Sequence, residues 1–418
     1  MKRRNSTTKI QRTALRRAAL SACVGGALLS GASAPTAHAQ DLAKENAELK
    51  ARLDALEMAA KQEGILPSDG SSSKLVKAMS EISISGFVQA SYFYNAEKPA
   101  DGMSDAYIWN TKDNSFSLNK FKLTVATKPL ATDEWDAGFK ASLMLGEDAP
   151  LLNSNGTANT SFNDLREAYV ELNVPIGTGL NIKAGELISL LNYESGDGGA
   201  ANPNFSQGNQ WWFTGNGPSA GVQGTYGFTD KVALTLRVDN GLFQGPVDVN
   251  EGKAYSTSIN LKPTSKFWIN IYGFFEDATG GSETQGLGTI GGFQINEKLG
   301  TGFEFDYFNF DNPGGDADLW SIGGWAWYDF TPKVGLAFRA DYVDSPDGVL
   351  GPAVRPGAGI TTTDTEGSLA SFTLTLNWKP VPNVKIQPEI RYDTTTYDGG
   401  LDGEDSRFIF GAGITYLF

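Results

Sequence analysis

The chain has 418 residues, with 34 Lys and Arg against 48 Asp and Glu, one histidine and one cysteine. A net charge of −14 argues against nucleic-acid binding, which rests on clustered basic residues. A single cysteine, Cys23, forms no intrachain disulfide, and a single histidine, His38, builds no His/Cys zinc or iron site.

Residues 1–39 read as a secretory signal. Lys2, Arg3, Arg4, Lys9, Arg12, Arg16 and Arg17 precede any acid, a small and apolar run follows from Ala18 to Ala34, and Ala37-His38-Ala39 supplies a small-x-small cleavage site. Leu20-Ser21-Ala22-Cys23 has the look of a lipoprotein box, but too few uncharged residues separate Arg17 from Cys23 for an apolar segment to precede it. Cleavage after Ala39 leaves 27 bases against 48 acids, a net charge of −21, with neither cysteine nor histidine. Gly217-Pro218-Ser219-Ala220-Gly221 matches a serine-hydrolase elbow, yet no imidazole is left to activate the hydroxyl, so the expectation is not an enzyme.

Residues 40–63 form the next part. Leu42, Leu49 and Leu56 recur every seven residues, with Asn46, Leu53 and Ala60 four positions after each, a coiled-coil seam over three heptads. A helix this short is marginal alone, so the reading is a periplasmic coiled coil that oligomerises. Residues 64–80, opening with GILPSDGSSS, read as a linker.

All 47 aromatic residues lie from Phe87 onward, where the period becomes two. Trp135, Ala137, Phe139, Ala141 and Leu143 oppose Lys140 and Ser142, and Val334, Leu336, Phe338, Ala340 and Tyr342 oppose Arg339 and Asp341. Sixteen such strands begin near Ile82, Ser115, Trp135, Leu165, Leu180, Gly221, Val232, Ala254, Phe267, Leu287, Thr301, Leu319, Val334, Leu369, Val384 and Arg407. Short turns such as PIGTG and FTPK alternate with long polar connections such as Asn95 to Asn114 and Asp277 to Gly286. The expected fold is all-β, a transmembrane antiparallel up-and-down β-barrel of about 16 strands over residues 81–418, preceded by the coiled-coil helix. No apolar run approaches the length of a membrane helix, and a soluble sandwich would not alternate its connections over such a length.

The longest connection is Ser189 to Ser219, rich in Gly and Asn, with Phe205, Trp211, Trp212 and Phe213 as packing anchors. Loops this long are usually functional, and aromatic anchors argue for order. The inward faces supply Lys120, Lys122, Lys140, Lys183, Glu167, Glu171, Arg237, Arg339 and Arg391 as pore-lining candidates. The loop adds Glu194 and Asp197 and no base, so its acids are expected to face a basic wall across a narrow section. Gly286 to Gly291 fits G-x-G-x-x-G without a following helix, and Asp311, Asp316 and Asp318 read as solvated surface before a calcium site. No cofactor and no metal are expected.

The signal, the coiled coil, the sixteen-strand pattern, the long loop after strand five and Phe418 together resemble the bacterial outer-membrane porins. LREAYVELNVPIGTGLNIKAGELIS, Leu165 to Ser189, looks like a β-barrel porin family of Gram-negative genomes. The resemblance implies that residues 189–219 fold into the barrel and narrow a water-filled channel for passive diffusion of small hydrophilic solutes. It also implies a homotrimer in outer-membrane lipid. Tyr416 and Phe418 end a last strand that resembles the signal read by the barrel assembly machinery. The alternative is a structural anchor that tethers the membrane to the cell wall through the coiled coil.

Overall fold

The computed structural model describes residues 51–56, 58, 81–106, 109–153, 164–242, 245–248, 251–278, 281–313, 315–348 and 366–418. Residues 51–56 and 58 are helical, with Leu53 and Leu56 exposed. The signal, the linker 64–80 and the rest of the expected coiled coil lie outside the described residues.

Sixteen strands follow. They are β1 (Ile82–Asn95), β2 (Ser115–Thr127), β3 (Asp136–Leu145), β4 (Leu165–Val174), β5 (Leu180–Leu187), β6 (Ser219–Thr229), β7 (Val232–Asp239) and β8 (Ala254–Thr264). The second half comprises β9 (Phe267–Ala278), β10 (Ser282–Gln294), β11 (Leu299–Asp311), β12 (Ala317–Thr331), β13 (Val334–Ser345), β14 (Gly367–Trp378), β15 (Val384–Thr395) and β16 (Ser406–Leu417). Each strand neighbours the next, and β16 returns to pair antiparallel with β1, so the sheet closes and leaves no open edge. Closure satisfies every ladder within the protein, which hydrocarbon demands of a spanning sheet.

The alternation works inside out relative to a soluble protein. On β16, Phe408, Phe410, Ile414 and Tyr416 are 46–50% exposed, while Arg407, Ile409 and Thr415 are at most 2% exposed. The apolar face is therefore the outer one, and the charged face points into the barrel. Among the described residues no helix is long and apolar enough to cross a membrane; strands do the crossing.

The connections depart from the expected strict alternation. The polar stretch expected as a loop from Asp277 to Gly286 is mostly strand: β10 starts at Ser282, and Glu283 pairs with Asp277 and Asp311. A strand that rises above the hydrocarbon no longer needs apolar residues, so hydropathy placed its start five residues late, at Leu287. Conversely, residues 128–135 make an eight-residue connection at the short-turn end.

Pairing register lines up inward residues in rows around the wall. One row runs Trp268, Gly292, Gly302, Trp325, Arg339, Thr373, Arg391, Ile409 and Asn95 from β9 to β1. The next row carries Glu304, Gly323, Asp341, Ser371, Asp393 and Arg407. These two rows, with Glu389 and Lys385 farther along β15, receive the long loop.

Candidate functional site, a loop seated inside the barrel

The connection from β5 to β6 has no strand of its own, only a 3-10 turn (Gly198–Ala200) and a short helix α2 (Asn209–Phe213). Its peptide groups lie among buried side chains and need partners. The wall supplies them from its acidic and basic side chains. Glu389 accepts from the amides of Phe205 (2.8 Å) and Ser206 (3.2 Å), Asp341 from the amide of Asn209 (2.9 Å), and Glu304 from the amide of Tyr193 (3.0 Å). The cations take the carbonyls: Lys385 Nζ donates to Gly199 O and Asn202 O at 2.9 and 2.7 Å, and Arg391 Nη1 donates to Gln207 O at 2.7 Å. These bonds satisfy the loop's buried peptide groups, so it is held without regular structure.

Glu194 is the centre of the seat. Its Oε1 accepts from Arg339 Nη1 at 2.9 Å and from Trp325 Nε1 at 3.1 Å, and its Oε2 accepts from the amide of Gly208 at 2.8 Å. Tyr193 lies over Gly302 in the first row, while Trp268 covers the neighbouring Gly292. The Tyr193 ring stacks on Trp325 (4.5 Å) and on Trp268 (6.1 Å), and a Cβ on Gly302 would overlap it. At the other end Phe205 packs against Phe93 (5.5 Å) over Gly413, where a Cβ would overlap its ring.

A short helix α1 (Ala149–Leu152) after β3 buttresses the loop from the side. Trp109 meets Trp211 and Trp212 edge-on at 4.9 and 5.5 Å, in a cluster with Met144 and Leu152. Lys120 pairs with Asp148 at 2.9 Å beneath that cluster, its Nζ 5.7 Å from the Trp109 ring centre.

A charged interior, a closed sheet and a long loop folded within it are the ingredients of a channel whose bore the loop sets. The model of the family described as "putative beta-barrel porin-2, OmpL-like" matches residues 81–418. The chain belongs to that porin family. No curated relative matches the sequence. Among solved structures, Pseudomonas putida OprB at high pH aligns with a TM-score of 0.56 and 11% identity over 83% of this chain and 96% of that one. An anion-selective porin from Comamonas acidovorans aligns at 0.53 and 10% over 81% and 99%. OmpT of Vibrio cholerae in its trimer form aligns at 0.52 and 11% over 81% and 99%.

In this porin the sequence-nominated residues divide into two groups. Lys120, Glu167, Glu194, Arg237, Arg339 and Arg391 are at most 4% exposed. They do not meet open water: Arg339 and Arg391 hold the loop and Arg237 donates to Ile188 O at 2.6 Å where the loop leaves β5, while Lys120 pairs with Asp148 and Glu167 accepts from Ser142 at 3.0 Å on the wall. Lys122, Lys140, Lys183, Glu171 and Asp197 keep 12–33% of their side-chain surface, all but Asp197 on β2 to β5. The expected basic wall facing loop acids across a gap is not what the pairs form. Asp197 touches Lys122 at 2.8 Å, Lys140 pairs with Glu167 at 2.8 Å, and Lys183 lies 3.7 Å from Glu171 with its Nζ 4.8 Å from the Tyr169 ring centre.

Period-two reading missed Arg166. Register slips where Ser142 pairs with Glu167 but Leu143 pairs with Leu165, so Arg166 is the extra residue of a β-bulge. The bulge turns it inward, where Nη1 donates to Leu152 O and the side chain is buried. The acids Glu304, Asp341 and Glu389 were visible as inward positions, but nothing in the sequence marks them as partners of loop amides. No metal-holding cluster occurs among the described residues.

Proposed function

We propose that this porin-family chain forms a water-filled channel that passes small hydrophilic solutes and ions across the outer membrane by passive diffusion. Residues 189–219 set its narrowest section. The observation that carries this reading is the division of the interior wall. The loop lies on the wall from β9 through β16 to β1 and β2, where Arg339 and Arg391 are 0–1% exposed, while Lys140 and Lys183 on β3 and β5 keep 33% and 27% of their side-chain surface. A plug would bury both sides.

The same reading takes residues 1–39 as a cleaved signal and 40–63 as a periplasmic coiled coil. It takes the working unit as a homotrimer, a state the OmpT neighbour's description names for that protein. Planar-bilayer recording of the purified protein tests the reading: stepwise conductance supports it, and a membrane with many inserted copies and no steps overturns it. Crosslinking in native membranes reads the oligomer independently.

A further inference from the structure

Four of the short connections share one construction. In Thr229-Asp230-Lys231, Thr264-Ser265-Lys266 and Thr331-Pro332-Lys333, the threonine hydroxyl accepts from the amide of the lysine (3.1, 3.3 and 3.2 Å) and of the residue after it (3.1, 3.1 and 3.0 Å). Asn296-Glu297-Lys298 does the same through its amide oxygen, at 2.9 and 3.0 Å. The register slips immediately before each threonine, so the strand end is bulged in the same way three times. A repeated turn fixes a lysine at the same height each time.

The lysines join into an arc. Lys231 O accepts from the Lys262 amide at 2.8 Å, and Lys333 O accepts from the Lys379 amide at 2.7 Å, so neighbouring turns present their lysines side by side. All six side chains are exposed, and among the described residues none is in an ion pair. Along this arc Asp230, Glu297 and Asp329 stand beside them, six lysines against three acids, a local excess of +3 on a chain whose sequence sums to −14, while the β2–β3 connection elsewhere on the rim carries Lys128 against Asp133 and Glu134. The β4–β5 turn, PIGTG, carries no charge.

An aromatic ring stands just above each part of the arc. Phe228, Phe293, Phe330 and Trp378 face outward at 44–56% exposure, within five residues of Lys231, Lys298, Lys333 and Lys379. Rings at that position seek the glycerol level of a bilayer, and a lysine beyond them reaches the phosphates with its ammonium. Short turns of such barrels face the periplasm.

We propose that this lysine arc, along β6 to β15, selects anionic glycerophospholipid headgroups in the periplasmic leaflet. The aromatic girdle favours lipid over a cell-wall polymer, because it holds the ammonium groups at the bilayer surface and not below it.

Native mass spectrometry of the full-length protein in detergent, offered equal phosphatidylglycerol and phosphatidylcholine, tests the assignment. The native protein retains phosphatidylglycerol over phosphatidylcholine by at least roughly fivefold at low salt, falling at high salt. Changing Lys231, Lys262, Lys266, Lys298, Lys333 and Lys379 to Gln brings the two lipids to parity, with single-channel conductance unchanged as the check on folding. A double variant at Lys262 and Lys379, which lie outside the capped turns, gives a partial loss. Equal retention by the native protein, or an undiminished preference in the sixfold variant, overturns the proposal. So does lysine-dependent pelleting with purified cell-wall sacculi without lipid preference, which would give the arc to the wall.

Discussion

Glu194 of the loop and Arg339 of β13 meet at 2.9 Å with both side chains closed to solvent. Removing one partner of a buried pair leaves the other charge uncompensated, at a cost of about 3–5 kcal/mol. The barrel ladder does not depend on this pair, so the cost falls on the loop. Glu194→Gln keeps the shape but not the charge, and Arg339→Ala also frees Ser206 O and the Glu194 carboxylate. Both variants should insert normally and conduct more, with noisier open levels, Arg339→Ala the more strongly. Heat-modifiable mobility on gels checks the fold, and single-channel traces check the bore. Unchanged conductance in Arg339→Ala would show that the loop is seated without this pair.

Ion selectivity should be weak despite the acidic chain. Among the described residues Lys122, Lys140 and Lys183 each have a carboxylate within reach, so these cations make no face of one sign to select by charge. Lys140→Ala leaves Glu167 without that partner and shifts the reversal potential toward cations; Glu171→Gln does the same to Lys183 and shifts it toward anions. Lys183–Glu171 is a partly exposed pair, worth about 0.2–1 kcal/mol, so its shift in permeability ratio is on the order of twofold; Glu167 is closed to solvent, and the Lys140→Ala shift comes from the lost cation. Shifts of the same sign in both variants would contradict local pairing.

Sixteen strands were legible because each pays its way in one period: apolar residues toward lipid and polar residues inward, from Ile82 to Leu417. Legibility ended where that rule stopped acting. β10 begins in polar residues beyond the hydrocarbon, and Arg166 enters the lumen through a bulge, which breaks the period locally. The loop itself stood out by length and aromatic content. Its seat did not, because Glu194 and Arg339 are 145 residues apart and only barrel closure and register bring them together. Charge on an inward face reads from sequence as pore lining; here burial turns Arg237, Arg339 and Arg391 into sockets for loop peptides.

The seam between β16 and β1 should govern assembly more than conduction. Gly86 and Phe418 exchange both backbone hydrogen bonds, at 2.8 and 3.0 Å, and the Phe418 ring lies 6.5 Å from that of Phe121 on the next strand. Phe418→Ala removes the ring that spans three strands at the closing edge, outside the lumen. Membrane levels of folded barrel should drop several-fold, with Tyr416→Ala weaker, while the channels that do form keep their native conductance. Full membrane levels of Phe418→Ala would count against this role.

Tyr193 tests how far the loop's hold depends on shape and not charge. Its ring lies over Gly302 between Trp268 and Trp325 of one row, and its amide reaches Glu304 at 3.0 Å. Tyr193→Ala empties that place but keeps the amide bond, and truncating a packed ring costs about 3–5 kcal/mol. Gly302→Leu instead fills it from the wall and expels the ring while every loop residue stays native. Both changes should make residues 189–219 accessible to protease in the folded barrel, and both should raise conductance. The two routes share no substituted residue, so agreement between them assigns the effect to the lost stack. If Gly302→Leu stays protected while Tyr193→Ala is cut, the ring matters for its own contacts with Trp268 and Trp325 and not for covering Gly302.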